Sequence, residues 1–215
     1  MIRYLLFDLD NTLYPSSTGL CEAMDRRMTE YVASWLRMTD DDALKTRRRN
    51  SRLHGSTLRW LITEGFTDID EFLSYVHPEN PAEYLDGNDA AAARSVLDEI
   101  GVPASILTNA PSEHASRVLD CLGIRDRFEH VFDLRWSGFV GKPSPQVYMR
   151  VLDHVASRPE ETMLVDDVLQ YLLPFRHLGG QIVHVSAAGQ VEPGIPTIGA
   201  LRELLPYVRP ERSNS

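Results

Sequence analysis

The chain has 215 residues, 43% of them hydrophobic and 25% charged, with a formal net charge of −9 at pH 7. These values fit a soluble globular protein with one large domain or a core plus an insertion, and the negative charge argues against binding to polymeric nucleic acid. Because no apolar run approaches the ~20 residues of a membrane span and no signal-peptide pattern opens the chain, we expect a cytoplasmic protein without a membrane partner.

The two cysteines carry little chemical information. Cys21 and Cys121 are single and lack the spacing of a metal site or of a disulfide framework. We therefore expect a reducing compartment and a packing role for both side chains.

The first part of the chain predicts one strand followed by an all-helical block. Residues 2–8 are nearly all apolar, which is typical of a strand in a sheet that is covered on both faces. An apolar stripe at helical spacing follows, formed by Leu20, Met24, Met28, Tyr31 and Trp35. Further helices are predicted from Asp40 onward and over residues 56–64 and 68–76, with the arginines at 47–49 on a solvated face. Prolines 78 and 81 predict a loop at the end of the block.

From residue 88 onward, predicted helices and strands alternate. The strands are predicted at residues 104–108, 130–134, 162–166 and 181–185, and the helices at residues 88–100, 112–122, 144–156, 168–178 and 198–208. Alternation of this kind predicts an α/β fold with a doubly wound parallel sheet and helices on both faces. We expect the polar tail, residues 209–215, to fray.

Four polar segments stand out against this pattern, and three of them close a predicted strand. They are Asp8-Leu9-Asp10-Asn11-Thr12, Thr108-Asn109, Gly141-Lys142-Pro143 and Asp166-Asp167. Ligands bind outside the carboxyl ends of the strands in an open parallel sheet. We therefore expect the four segments to converge on one crevice.

Asp8 and Asp10 have the spacing of a nucleophile and a general acid. An aspartate can attack phosphorus and form an aspartyl phosphate. A carboxyl group two residues later lies on the same side of a strand, where it can protonate the leaving oxygen and later accept a proton from water. Asp, Asn and Thr are also favoured in helix caps and Asx-turns, so this segment alone leaves a structural explanation open.

The Asp166-Asp167 pair has the chemistry of a magnesium site. Mg2+ prefers hard oxygen ligands, often one or two carboxylates with water and phosphate. Acids also suit a solvated helix N-terminus, which is the simpler explanation for the pair in isolation. The acids at 8 and 10 favour the metal, because four like charges in one crevice repel one another unless a cation lies among them.

The two remaining segments supply phosphate-binding groups. Lys142 carries a compact positive charge that can hold a phosphate and orient Asp8. Thr108 and Asn109 offer a hydroxyl and an amide to a phosphate oxygen. The alternatives are a turn rich in Gly and Pro around Lys142 and an N-cap before the helix at 112–122.

The order and context of all four segments resemble the haloacid dehalogenase superfamily, whose members are mostly magnesium-dependent phosphatases. Asp8, Asp10 and Thr12 match the first motif, Thr108 the second and Lys142 the third, and the pair Asp166 and Asp167 matches the fourth. The resemblance covers nearly the whole chain. It implies that Mg2+ is held by the Asp8 and Asp167 side chains and the Asp10 carbonyl. It also implies a Rossmann-like core of residues 1–14 and 82–215, with a helical cap inserted at residues 15–81.

Motif one and the helical block further resemble the pyrimidine 5′-nucleotidase branch, in FDLDNTLYP, GLCEAMDRRMTEYV and STLRWLITEGF. That resemblance implies nucleoside 5′-monophosphates as substrates. Tyr171 departs from the family, which often has Asp or Asn four residues after the metal-binding acid, so a contact beside the metal is lost. Tyr14, His54 and Arg59 are candidates for contact with the leaving group, although packing roles are commoner.

We therefore predict an Mg2+-dependent phosphatase acting on a small phosphorylated metabolite. Its catalytic residues are Asp8, Asp10, Thr108 and Lys142, and its substrate is also bound by Asn109. A phosphatase or phosphomutase for another metabolite, such as a sugar phosphate, remains open. A dehalogenase of the same fold needs no acid at position 10, so Asp10 argues against it. A catalytically weak binding protein has only Tyr171 in its support, and the sequence does not fix the oligomeric state.

Overall fold

The fold is built on one parallel sheet. The computed structural model describes residues 1–186, 189 and 191–208 of the chain. Its strands are β1 (Tyr4–Phe7), β2 (Ala104–Leu107), β3 (Val131–Phe132), β4 (Thr162–Asp166), β5 (Gln181–Val185) and β6 (Thr197–Ile198). Within the described residues these six strands form one sheet in the order β3-β2-β1-β4-β5-β6, and every pair is parallel. The predicted parallel α/β fold is confirmed.

Four helices lie between β1 and β2 in the chain. They are α1 (Leu20–Leu36), α2 (Asp40–His54), α3 (Thr57–Thr63) and α4 (Ile69–Val76). The α2 helix begins where the Thr39 hydroxyl accepts from the Asp42 amide, and α3 begins where the Ser56 hydroxyl accepts from the Arg59 amide. The apolar stripe of α1 packs against α2 and α4, and Tyr31 makes edge contacts with Phe66 and Phe72.

Helices cover both faces of the sheet, so alternate residues of β1 enter two different hydrophobic clusters. Leu5 and Phe7 pack with the buried residues of α5 (Gly87–Ile100) and α6 (Ser112–Cys121). Tyr4 and Leu6 pack with those of α7 (Pro145–His154) and α8 (Leu169–His177). Burial on both faces explains why β1 reads as a continuous apolar run.

The helical block rests against the loop that carries Lys142. Gly55 ends α2 at a φ of +92°, and a Cβ placed there would lie 3.1 Å from the Pro143 side chain. Arg59 donates from Nη1 to the Val140 carbonyl at 3.3 Å, and Asp70 pairs with Arg135 at 2.7 Å. The block therefore touches the same edge of the sheet as the polar segments.

The end of the described chain differs from the sequence prediction. The helix predicted at residues 198–208 is wrong at its start, because Thr197–Ile198 is the strand β6, and Ile198 is the partner of Val185. Residues 201–204 form a 3-10 helix, and only α9 (Leu205–Val208) is α-helical. The apolar residues that follow, Leu201, Leu204, Leu205 and Val208, have helical spacing, and the predicted helix extends back over Ile198. The predicted fraying of residues 209–215 lies outside the described residues.

Two further expectations concern the molecule as a whole. Among the described residues, no helix is both long enough and apolar enough to cross a bilayer. The two cysteines are half-buried free thiols. Burial raises the pKa of the Cys121 thiol, which agrees with a packing role for it.

Candidate active site

The predicted polar segments meet at the carboxyl ends of the strands. Asp8 directly follows β1, and its amide donates to the Val165 carbonyl of β4 at 2.9 Å. Asp166 is the last residue of β4, so these two carboxyl groups stand on neighbouring strands. Thr108 directly follows β2, and its amide donates to the Phe132 carbonyl at 3.0 Å. The sheet therefore places three of the four segments along one edge.

Lys142 joins two of the aspartates. Its Nζ donates to Asp8 Oδ1 at 2.7 Å and to Asp166 Oδ2 at 2.6 Å, and its side chain is fully buried. Burial alone would lower the pKa of the ammonium, but Asp166 and Asp8 outweigh burial and raise that pKa well above its ordinary value. Lys142 is therefore charged, and it fixes the position of Asp8.

The two members of the fourth segment have different surroundings. Asp166 uses both oxygens, because Oδ1 accepts from the Val168 amide at 2.8 Å and Oδ2 accepts from Lys142. Asp167 is more open, and its Oδ2 accepts from Asn11 Nδ2 at 3.2 Å. Burial, followed by the charge of Asp166, raises the pKa of Asp167 to about 7. Asp166 thus supports Lys142, whereas Asp167 retains free capacity to bind a ligand.

The acids outnumber the bases at this edge of the sheet. One oxygen each of Asp8, Asp166 and Asp167 lies within 4.8 Å of the others, with Lys142 as the ammonium between them. Burial raises the pKa of Asp8 well above its ordinary value, although Lys142 opposes this shift. Buried carboxylates with hard oxygen donors and a shortage of positive charge are the donor set that suits a divalent cation such as Mg2+.

Asp10 has two partners, and both bind the same oxygen. Its Oδ1 accepts from the Tyr14 hydroxyl at 2.5 Å and lies 2.8 Å from His114 Nε2. Burial raises the pKa of Asp10, but His114 and the hydrogen bond from Tyr14 outweigh burial, and the pKa lies below its ordinary value. His114 lies outside the four segments that were predicted to form the site. Its signal was a polar residue on the apolar face of α6, beside Ala115, Val118 and Leu119.

Thr108 and Asn109 organise the backbone around the site. The Thr108 hydroxyl accepts from the Ala110 amide at 3.0 Å. The Asn109 amide donates to the Lys142 carbonyl at 2.9 Å and accepts from the Lys142 amide at 2.8 Å. Gly141 permits this approach, because a Cβ there would lie 2.4 Å from Asn109 Oδ1 at a φ of +60°. The Asn109 side chain therefore holds the Lys142 loop.

The first motif also contains unpaired polar atoms. Thr12 Oγ1 and Asn11 Oδ1 are buried, and neither has a hydrogen-bond partner within the described part of the chain. Buried polar groups normally have partners, so unpaired oxygens in the segment that also carries Asp8 and Asp10 fit a site that receives a polar ligand.

A cavity of about 290 Å³ lies between the helical block and the edge of the sheet that carries Asn109. Asn109 and Tyr171 line it on the sheet side, and its other lining residues include Arg47, Arg52, Leu58 and Phe72 from the block. Tyr171 also stands beside the catalytic edge, because its ring centroid is 5.3 Å from Lys142 Nζ. Tyr171 therefore brings a phenol to the wall of the cavity beside Lys142.

The prediction that Arg47 lies on a solvated face is wrong. Its side chain is only 6% exposed, and it forms an ion pair with Asp25 of α1 and a contact with Met28 Sδ. Arg48 and Arg49 remain exposed, as predicted. Pairing with an acid on a neighbouring helix compensates a buried guanidinium, and sequence spacing within α2 carries no information about that partner.

The three residues named from the sequence as candidates for contact with the leaving group do not line this cavity. Tyr14 is buried and bonded to Asp10, His54 Nδ1 is 3.2 Å from the Thr63 hydroxyl, and Arg59 donates to the Val140 carbonyl.

Comparison with known proteins shows the family of this fold and site. The haloacid dehalogenase-like hydrolase family matches residues 2–170, so the chain belongs to that family, as predicted. Two relatives are phosphoglycolate phosphatases. The one from Pectobacterium atrosepticum is 27% identical over 77% of this chain and 72% of its own. The one from Rhodospirillum rubrum is 24% identical over 94% of this chain and 86% of its own. The predicted enzyme class, a phosphatase of this family, agrees with both names.

The solved structures extend the likeness in fold. The L-2-haloacid dehalogenase from Xanthobacter autotrophicus has a TM-score of 0.60, with 17% identity over 99% of this chain and all of that one. A dehalogenase thus shares this architecture, so the side chains of the site must distinguish the two chemistries.

Proposed function

We propose that the protein is an Mg2+-dependent phosphomonoesterase that acts through an aspartyl phosphate on Asp8. The observation that carries this proposal is the Asp8 carboxylate, held by Lys142 at 2.7 Å among an excess of acids, with a second carboxyl two residues later. Oxygen donors of this kind and one fixed ammonium suit the charge of a phosphoryl group.

The reaction has two displacements at phosphorus. Asp8 attacks, an Asp8–phosphorus bond forms, the ester oxygen–phosphorus bond breaks, and Asp10, in the protonated form that this step requires, gives its proton to the leaving oxygen. Water then attacks the intermediate, Asp10 takes the proton from that water, and the Asp8–phosphorus bond breaks to release inorganic phosphate. Asp8 and Asp10 return to their starting states, so protons and bonds balance.

The remaining residues bind the phosphate and the metal. Lys142, the Thr108 hydroxyl and the Asn109 amide are the groups that would hold phosphoryl oxygens. The side chains of Asp8 and Asp167 and the carbonyl of Asp10 would hold Mg2+. When bound, Mg2+ neutralises the carboxylates and the charge on the transferring group. Asp166 holds Lys142 between itself and Asp8.

Asp10 favours the phosphatase over the other chemistries of the fold. A dehalogenase expels halide and needs no proton donor, whereas Asp10 here is held by two hydrogen-bond donors. A catalytically weak binding protein would have no use for a buried lysine between two carboxylates. A phosphomutase shares all these groups, and only a phosphorylated product in place of inorganic phosphate would reveal it.

The cavity supports a proposal for the substrate class. We infer that residues 15–81 act as a cap whose inner wall receives the leaving group in the 290 Å³ cavity. Tyr171, Phe72 and Leu58 offer apolar surface to a base, and Arg52 and Asn109 offer hydrogen bonds. We propose nucleoside 5′-monophosphates as substrates, with UMP and CMP ahead of purine nucleotides. The names of the two relatives favour phosphoglycolate as the second candidate, and Arg52 suits its carboxylate.

One kinetic comparison tests the proposal. We expect kcat/KM in Mg2+ to be higher for UMP and CMP than for phosphoglycolate or sugar phosphates, and we expect EDTA to abolish turnover and Mg2+ to restore it. A clear preference for phosphoglycolate would replace the nucleotide assignment and keep the phosphatase. Turnover in a metal-stripped sample would contradict the mechanism.

A further inference from the structure

His114 lies in direct contact with the general acid of the proposed reaction. It is fully buried on α6, and its Nε2 is 2.8 Å from Asp10 Oδ1 although 104 positions separate the two residues in the chain. Because a carboxylate accepts hydrogen bonds, the imidazole donates through Nε2. The Tyr14 hydroxyl donates to the same Oδ1 at 2.5 Å.

Two donors on one oxygen give the Asp10 carboxyl a fixed orientation. Both hydrogen bonds found for this carboxyl among the described residues end on Oδ1, and its side chain keeps 18% exposure. The second oxygen, Oδ2, is therefore the one available to the leaving group and to water. An acid held in this way loses little freedom when the substrate arrives.

The surroundings of His114 hold the ring itself in place. Its centroid is 4.7 Å from that of His77, which is buried where α4 ends. His77 donates from Nδ1 to the Leu73 carbonyl at 2.8 Å, so a backbone group of the helical block orients the second ring. The positions of α4 and α6 are thereby linked to Asp10.

We propose that His114, together with Tyr14, is a positioning residue that presents Oδ2 of Asp10 for proton transfer. This inference rests on the proposed phosphatase function and adds to it a residue outside the four sequence segments. A histidine that merely filled the interior would support the fold alone, and its replacement would change turnover of all phosphate esters equally.

The test compares two esters that differ in their need for a proton donor. Nitrophenolate leaves readily without protonation, whereas an alkoxide does not, so the kcat/KM ratio of an alkyl phosphate to 4-nitrophenyl phosphate reports on Asp10. His114→Asn removes the donor, because its shorter amide does not reach Asp10. His114→Gln places an amide N–H near the position of Nε2. Tyr14→Phe removes the other donor and keeps the ring.

We expect His114→Asn and Tyr14→Phe each to lower this ratio about tenfold or more, since hydrogen bonds to charged groups are the stronger class. His114→Gln should recover most of the loss. The matched control is Tyr4→Phe, which removes a buried hydroxyl bonded to Ser105 and Glu129 at the far end of β1 and should leave the ratio unchanged.

The outcomes separate this inference from the proposed function. An unchanged ratio in His114→Asn, or an equal fall for both esters, would overturn the positioning role. If neither His114 variant folds, the ratio in Tyr14→Phe decides the question. A wild-type protein that hydrolyses no ester in Mg2+ would instead overturn the phosphatase assignment.

Discussion

At the scale of single residues, the site gives different hydrogen-bond partners to two carboxyl groups that are only two positions apart in the chain. Asp8 is bonded to the Lys142 ammonium, whereas Asp10 is bonded to a phenol and an imidazole. The two groups thus have different partners, which is the arrangement that allows one to attack and the other to transfer a proton.

The first prediction concerns the nucleophile. Asp8→Asn should lower turnover of 4-nitrophenyl phosphate at least a hundredfold, because the amide is a poor nucleophile and a weaker metal ligand. The measurement is kcat in saturating Mg2+, with the folded state checked by circular dichroism. Retention of more than about a hundredth of wild-type kcat would show that Asp8 is not the nucleophile.

The second prediction concerns the acid. Asp10→Asn should preserve the fold, since the amide can still accept from Tyr14 at Oδ1, yet it should lower kcat/KM far more for an alkyl phosphate than for 4-nitrophenyl phosphate. The same pair of assays provides the check. Equal losses would mean that Asp10 is structural.

At the scale of elements, the loop before α7 is held to the end of β2 by a side chain. Asn109 binds the Lys142 backbone at both its N–H and its carbonyl, and Gly141 leaves the space for that contact. The position of Lys142 therefore depends on the Asn109 side chain as well as on the loop itself.

A third prediction follows from this contact. Gly141→Ala should abolish most activity and lower the melting temperature, because the methyl group would meet Asn109 Oδ1 at 2.4 Å. Gly123→Ala is a matched control, since Gly123 has a similar φ of +62° but no heavy atom within 4 Å of the added Cβ. It should show only the backbone strain of about 1–2 kcal/mol, with normal kcat. Equal kcat in both variants would contradict this role for Gly141.

The sequence allowed the strands and the site segments to be predicted because both are local patterns. A buried apolar run such as that of β1 and a polar residue at its end are visible without tertiary information. The partners of His114 and Arg47 are not visible in this way, because each of these side chains pairs with an acid on another element of the chain. The strand β6 was missed because the helical spacing of the apolar residues that follow it, Leu201 to Val208, placed Ile198 in the predicted helix.

At the scale of the whole molecule, we expect the cluster of Asp8, Asp166 and Asp167 to make the free energy of unfolding depend on pH and on bound metal. The pKa of Asp167 rises from 3.8 to about 7 in the folded protein, which therefore holds a proton that the unfolded chain has lost between these pH values. The unfolded state binds fewer protons there, so the free energy of unfolding of the metal-free protein falls as the pH rises from about 4 to about 7.

The fourth prediction uses this sign. Mg2+ should raise the melting temperature more at pH 8 than at pH 5, because at the higher pH the ion relieves repulsion among ionised carboxylates and competes with no proton. Thermal unfolding with EDTA and with Mg2+ at the two pH values gives the comparison. An equal or smaller gain at pH 8 would show that these acids do not hold the ion.

The strand order also has a consequence for how the protein is made. The strand β1 is synthesised first, yet one of its two edges pairs only with β4, at residues 162–166. While a ribosome is still making the residues in between, that edge of an almost wholly apolar strand has no native partner. Pairing over such a separation is slow, and an open apolar edge invites association with other chains. The interval before β4 emerges is therefore one in which the nascent chain is exposed to aggregation, and Asp166 and Asp167 can join the site only after that interval.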